Sequence, residues 1–350
     1  MTEFADIIGH RRVTSLLERE RQHPAQSYLF VGPAGVGKAT TARIFASALL
    51  CPDDWHHDEP CRSCRRVASG NHPDLVVVEP EGATMTVDQI RQTVVASNLS
   101  PGEGSTTVFL LDDAGMMNDS AANAILKTLE EPSVSTVFIL IAESTEDLPD
   151  TIASRCRVVP FARVTTEEVS EALEKMGVDG TAATEAARIA GGRPGIALSV
   201  ATEPRVADFR KAWIGVPSQV GKGPGSASEL ANELIHASDP LLEAIKVRQA
   251  QEAVETARDK ERQKRELTRS TQALLINGLE LLASVYVDAA AAQHGAAIRN
   301  ADIPLEDLIA ASPERSVANA ERVMDASVDI RMNMRPGLVL TNLLVDLGRG

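Results

Sequence analysis

The chain is poor in aromatic residues: 7 Phe, 2 Trp and 2 Tyr make up 3% of its 350 residues. Platforms that stack single-stranded bases need rows of such rings, so the composition argues against one. Positive charge is not in excess either, because 35 Lys and Arg face 49 Asp and Glu, for a formal net charge of −14. A stand-alone DNA-binding protein carries a basic footprint, so any nucleic-acid contact here is local or shared with partner subunits. No run approaches the roughly 18 consecutive apolar residues that a membrane span needs, and no contact with a membrane is expected. The first residues, Met1-Thr-Glu-Phe-Ala-Asp6, lack the basic and apolar regions of a signal peptide, which points to the cytoplasm. Cysteine is scarce, with four residues, and in that compartment metal binding is favoured over a disulfide.

What is present reads as an ordinary globular protein, 43% hydrophobic and 24% charged, long enough for two or three domains. The strongest local signal is Tyr28-Leu-Phe-Val-Gly-Pro-Ala-Gly-Val-Gly-Lys-Ala-Thr-Thr41. A short apolar strand runs into a glycine-rich turn, and helical period follows from Thr40 to Leu50. Gly32, Gly37 and Lys38 fit the G-x-x-x-x-G-K core of a phosphate-binding loop, with Gly35 inside the turn. Glycines let backbone N–H groups turn inward, the helix N-terminus adds partial positive charge, and the lysine reaches the outer phosphates. The next position normally carries the Ser or Thr that binds Mg²⁺. Here it is Ala39, with Thr40 one place late.

Further along, Asp74 to Val78, Thr107 to Leu111 and Val137 to Ile141 are continuous apolar runs that suit buried parallel strands. Helical spacing covers residues 4–22 in part, Thr86 to Ser97, and Ser120 to Glu130, which Asp119 can cap and Pro132 ends. Strands alternating with helices predict a parallel α/β sheet with ligands at the strand C-terminal ends. The phosphate loop and the pair Asp112-Asp113 both fall at such ends. Asp112 would hold Mg²⁺ through water; position 113 is usually Glu in an active ATPase, and Asp113 is one methylene short of it. Beyond Phe161 no strand is predicted. Thr165 to Lys175 and Thr181 to Ala190 read as short helices, Gly215 to Ser228 as a Gly/Pro/Ser-rich loop, and the remainder as helical. Lys246 to Arg269 carries eight Lys or Arg against five Asp or Glu, either a solvated helix face or a contact for DNA or a partner.

Cys61-x-x-Cys64 has zinc-knuckle spacing, and Cys51 lies ten residues earlier. Three thiolates need a fourth ligand for tetrahedral Zn²⁺; His57 is the first choice, with His56 and Asp58 behind it. The alternative is a loop whose cysteines are incidental, and Cys156 belongs to another element. In Ser154-Arg155-Cys156 the arginine is either an ordinary surface residue or a finger that reaches a neighbouring subunit's nucleotide.

The order of these pieces resembles the AAA+ subunits of the bacterial sliding-clamp loader over roughly residues 5–200. The phosphate loop, the zinc cysteines, Leu111-Asp-Asp-Ala114, Ala121-Ala-Asn-Ala-Ile-Leu-Lys-Thr-Leu-Glu-Glu-Pro132 and Thr151-Ile-Ala-Ser-Arg-Cys156 carry the resemblance. Asn333-Met-Arg-Pro-Gly-Leu-Val-Leu-Thr-Asn-Leu-Leu344 is similar to the end of that family's collar domain. The resemblance implies an α/β AAA+ core over residues 1–163 with a zinc module at about 51–64. A small helical lid over 164–204 and an all-α collar over 205–350 would follow. It also separates motor from stator subunits. Ala39 replaces the Mg²⁺ residue, Asp113 the catalytic Glu, Ala142 or Glu143 the small hydroxyl of the γ-phosphate sensor, and Gly195 the lid's sensing Arg. Arg155, which would serve the neighbour's site, is kept. The pattern implies a stator-type subunit of the DNA polymerase III holoenzyme, whose loop could hold ATP or ADP without hydrolysing it in cis; whether nucleotide is bound is left open by the sequence. The implied partners are the γ/τ motors and δ, and through the complex the β sliding clamp and primer-template DNA. The alternatives are a γ/τ-type motor and, more distantly, an AAA+ repair or recombination protein.

Overall fold

The computed structural model describes residues 3–53, 55, 59–80, 84–221, 223–252, 257–296, 298, 300, 303–308 and 312–349. It divides into two compact units. The first comprises residues 1–168 with 192–195, and the second comprises 169–191 with 196–350.

The first unit is built on five parallel strands, β1 (Ser27–Val31), β2 (Leu75–Val78), β3 (Thr107–Leu111), β4 (Thr136–Ala142) and β5 (Arg157–Pro160), in the order β2-β3-β4-β1-β5. Five of the first six helices are α1 (Arg11–Glu20), α2 (Lys38–Leu49), α3 (Arg62–Ala68), α4 (Val87–Ser97) and α5 (Asp119–Glu130); the four-residue α6 (Asp150–Ala153) precedes β5. Successive residues of a strand point to opposite faces, and here both faces are apolar. Tyr28, Phe30, Val108, Leu110, Ile139 and Ile141 pack on one side with Leu17 of α1 and Ile44 and Phe45 of α2. Leu29, Phe109, Phe138 and Leu140 pack on the other with Ile90 of α4 and Ile125 and Leu129 of α5. Phe109 and Phe138 stack at 5.2 Å between centroids. Fully burying each such side chain contributes about 1.5–3 kcal/mol, so the runs that predict strands are also what hold the sheet between helices.

Local chemistry sets the helix starts. Thr86 and Gln89 close a capping box at the head of α4. At α5 the cap is Asn118, whose Oδ1 accepts the Ala121 N–H at 2.9 Å, so Asp119 is the first helical residue rather than the predicted cap. β5 was not anticipated. It is an edge strand with only Val159 buried, so it lacks the continuous apolar run of its neighbours.

The second unit is helical: α8 (Gly180–Ala190), α10 (Val206–Ile214), α11 (Pro224–His236), α12 (Asp239–Glu252), α13 (Ala257–Gln293), α14 (Leu305–Leu308), α15 (Pro313–Arg331) and α16 (Pro336–Arg349), with most of α7 (Thr166–Lys175) and α9 (Pro194–Val200). Pro224 opens α11, so the predicted loop over 215–228 ends earlier than its composition implies; proline is well placed at the first helical position. α13 runs along α15, and Gly278 within it receives the fully buried Trp213 of α10. A Cβ on Gly278 would lie 2.0 Å from the indole. The segment Leu267–Gln293 is long and apolar enough to cross a membrane by length and composition, but 72% of its most apolar window is buried inside the protein, as in a core helix. The charged 246–269 stretch falls on α12 and α13; residues 253–256 and the side chains of 248–252 and 257–266 lie outside the described residues.

Candidate functional site

β1 ends at Val31, and the turn that follows is shaped by positive backbone angles. Gly32, Gly35 and Gly37 have φ of 153°, 78° and 104°. At Gly32 the need for glycine is also steric, since a Cβ there would stand 2.1 Å from the Phe161 carbonyl oxygen. Gly37 is the N-cap of α2, and Lys38 begins the helix. Lys38 is buried, and its Nζ donates to the carbonyl oxygens of Gly32 (2.5 Å) and Pro33 (2.8 Å), which ties the ammonium to the turn itself. Ala39 packs against the core and Thr40 is exposed, so the hydroxyl one place late faces solvent. Consecutive helical residues are about 100° apart around the axis, so Thr40 does not project where residue 39 does.

A contact that sequence reasoning missed fastens this turn. His10 Nε2 donates to the Val36 carbonyl oxygen at 2.9 Å, and its ring meets Phe161 edge-on at 4.9 Å. Burial lowers the imidazole pKa below its ordinary value. The ring is therefore held neutral with its proton on Nε2.

Asp112 and Asp113 follow β3 at the same edge of the sheet as the loop. Asp113 sits in the left-handed region at φ 57° and heads a short 3-10 turn, Ala114–Met116. The sensor position falls at the end of β4, where Ala142 pairs with Val31 immediately before the loop and offers only a methyl group. Glu143 is exposed. Gly195 is exposed too, with open space where a side chain would begin. Each replacement named from the sequence is thus small, short or turned to solvent.

Arg155 lies elsewhere. Parallel pairing sets Tyr28 beside Arg157 and Val31 beside Pro160, so Arg155 precedes the start of β5 while the phosphate loop follows the end of β1. The strand rise puts these two positions on the order of 10 Å or more apart along the sheet, at opposite edges. The half-exposed guanidinium donates from Nη1 to the Thr151 carbonyl oxygen at 2.7 Å and pairs through Nη2 with Glu130 at the end of α5. Glu130 was not singled out from the sequence, although it belongs to the Glu-Glu-Pro string. The adjacent Cys156 is half-buried, and desolvation pushes its thiol up to about 12.

The three remaining cysteines come together. Cys51 Sγ and Cys61 Sγ are 4.0 Å apart, Cys61 and Cys64 3.5 Å, and all three sulfurs lie within 4.8 Å of one another. Tetrahedral thiolates at Zn–S distances of about 2.3 Å are separated by roughly 3.8 Å, so the cluster could hold a metal ion. Cys61 caps α3 by accepting the Cys64 N–H. Burial works to raise its thiol pKa, but the hydrogen bonds from Cys64 and Cys51 outweigh it and bring the value below the ordinary one. Beneath the cluster, Ser63 Oγ donates to the Leu50 carbonyl oxygen at 2.7 Å and meets His72 Nε2 at 2.9 Å. His57, His56 and Asp58 lie outside the described residues.

Residues 9–165 match the family described as DNA polymerase III, delta subunit. The chain is 40% identical to DNA polymerase III subunit delta' of Pseudomonas aeruginosa, over 46% of its length and 54% of the relative's. It is 35% identical to subunit delta' of Bacillus subtilis, over 48% and 52%. Subunit tau of Bacillus subtilis is 33% identical over 49% of this chain and 31% of that protein. Over the matched residues the chain is similar to clamp-loader subunits of DNA polymerase III, gamma and tau included. It spans about half the length of the two delta' relatives, and the family match falls in the first unit. The chain thus combines an α/β core with a helical C-terminal region, the fold class that the resemblance implies.

Proposed function

We propose that this chain is the delta' (δ′) subunit of a clamp loader, a stator that carries no ATPase cycle of its own and supplies Arg155 to the ATP site of a neighbouring motor subunit. The observation that carries this reading is the split between the two sheet edges. The phosphate-loop edge has Ala39, Asp113 and Ala142 where hydrolysis needs a metal ligand, a base and a sensor, and Gly195 stands in sequence where the lid arginine would be, whereas Arg155 stands at the far edge, beyond reach of its own loop. An arginine placed against a transferring phosphoryl group neutralises charge that develops in the transition state. In the assembly, γ/τ and δ would be the partner subunits, joined through a collar formed by residues 205–350, with 164–204 as the lid. The β sliding clamp and primer-template DNA would be met through the complex, in the cytoplasm.

The loop formed by Gly32, Gly35, Gly37, Lys38, Ala39 and Thr40, with Asp112 and Asp113, would hold ATP or ADP. Its N–H groups and Lys38 would orient the phosphates, and the nucleotide would lend rigidity rather than chemistry. Cys51, Cys61 and Cys64, with His57 as fourth ligand, would hold a structural Zn²⁺ that closes the 51–64 loop. A γ/τ-type motor is the second reading, favoured by the intact backbone of the loop. ATPase turnover of the purified chain separates the two. The stator reading expects no turnover above background for the chain alone and robust turnover once it is reconstituted with motor subunits; sustained turnover by the chain alone contradicts it.

A further inference from the structure

Two residues before Gly195, which leaves the lid's sensing position without a side chain, the structure buries an arginine. Arg193 is only 4% exposed, and its stem lies over the phosphate loop. A Cβ built on Gly35 would stand 3.2 Å from Arg193 Cδ and 3.4 Å from its Cβ and Cγ. The backbone that delivers it is closely fixed within the first unit. The Val164 N–H donates to the Gly192 carbonyl oxygen at 3.2 Å, and a Cβ on Gly192 would meet the Val164 oxygen at 2.6 Å and Arg163 Cβ at 2.7 Å. The same segment backs the loop at its other end, where Gly32 abuts Phe161. Residues 161–164 are therefore gripped between Gly32 and Gly192, and Arg193 leaves that grip across the glycine turn. The second cation of the loop, Lys38, is itself only 8% exposed.

We propose that Arg193 is a cis phosphate-binding residue, which joins Lys38 and the loop N–H groups in holding a nucleoside di- or triphosphate and takes over the charge missing at position 195. The proposal rests on the reading of the loop as a nucleotide site. A guanidinium is suited to this task because it stays charged at all working pH values and offers a planar fork of donors to phosphate oxygens. Its position differs from that of an arginine at 195 in one respect that matters chemically. It is locked on the turn by Gly192, so it would add to ground-state binding of either nucleotide rather than respond to hydrolysis.

The test is equilibrium binding of fluorescent ADP and ATP with Mg²⁺ to the full chain, with adenosine as a phosphate-free competitor. Arg193→Met keeps the apolar stem and removes the charge, and Arg193→Lys keeps the charge; Arg193→Gln is the substitute if the Met variant does not fold. Loss of one charge-assisted contact should weaken ADP and ATP on the order of tenfold or more in the Met variant, leave adenosine unchanged, and be largely restored in the Lys variant. ADP and ATP affinities equal to those of the parent overturn the proposal, and so does a loss that adenosine shares, which would assign Arg193 to packing alone. Lys38→Ala separates the levels of failure. Binding by the parent that needs Lys38 but not Arg193 defeats this inference only, whereas a parent chain that binds neither nucleotide defeats the nucleotide reading of the loop as well.

Discussion

At the C-terminal edge of the sheet the backbone is specified tightly and the reactive side chains are few. Gly32 fits only as glycine against Phe161, His10 holds Val36, and Lys38 is tied to the turn, yet Ala39 and Ala142 bring no functional group. At the N-terminal edge the reverse holds. Arg155 sits on a short helix end with solvent access, linked to Glu130 and to a carbonyl of its own turn. Exposed ion pairs of this type contribute at most about 1 kcal/mol, so this edge keeps a reactive group that the fold hardly needs. The difference teaches that shape and chemistry lie apart in this unit; on the proposed reading the loop serves as architecture and the arginine as a tool for use elsewhere.

That contrast can be broken first at the loop. Gly32→Ala should destabilise the first unit by about 3 kcal/mol or more, because the new methyl meets a backbone oxygen that cannot swing away. Gly37→Ala is the comparison within the same turn, since nothing lies within 4 Å of its added Cβ and only the positive φ of 104° resists it. It should cost about 1 kcal/mol. Urea unfolding of the two variants measures both. Equal costs would mean that the turn is not held against Phe161 as described.

A smaller effect sharpens the same edge. Burial lowers the His10 pKa below 6.5, so on acidification the unfolded chain takes up a proton before the folded one does. The stabilising contribution of the neutral ring is then complete above pH 6.5 and is lost as pH falls from there through the folded value. Unfolding free energies at pH 7.5 and 5.5 should differ less in His10→Gln than in the parent, by under about 1 kcal/mol. An unchanged pH dependence would remove His10 from the account of the loop.

How much of this was legible in the sequence follows from how local each cause is. β1, β3 and β4 are buried on both faces, so their apolar runs announced them, and the glycines of the loop carried their own backbone requirement. β5 was silent because an edge strand needs only one inward residue, Val159, and tolerates Arg157 and Pro160. The cap of α5 was placed one residue late because Asn118 and Asp119 are both competent caps and only the chain's approach decides between them. Ala39, Asp113 and Gly195 could be read as departures because each stands in a recognisable string. Arg193 and Glu130 could not, since what gives each its place is a residue brought near only by the fold: Gly35 for the one and Arg155 for the other. The cysteines were readable by spacing, and the fold brings them within reach of a single ion.

The central claim is that the group at the N-terminal edge acts on a neighbour's nucleotide. The direct measurement is DNA-stimulated ATP hydrolysis by a loader reconstituted with Arg155→Ala, alongside the thermal melt of the variant chain and gel filtration of the complex. The account predicts turnover at the adjoining motor site lowered on the order of a hundredfold or more, with chain stability within about 1 kcal/mol of the parent and assembly intact. Parent-level turnover at that site in an intact variant complex would contradict it.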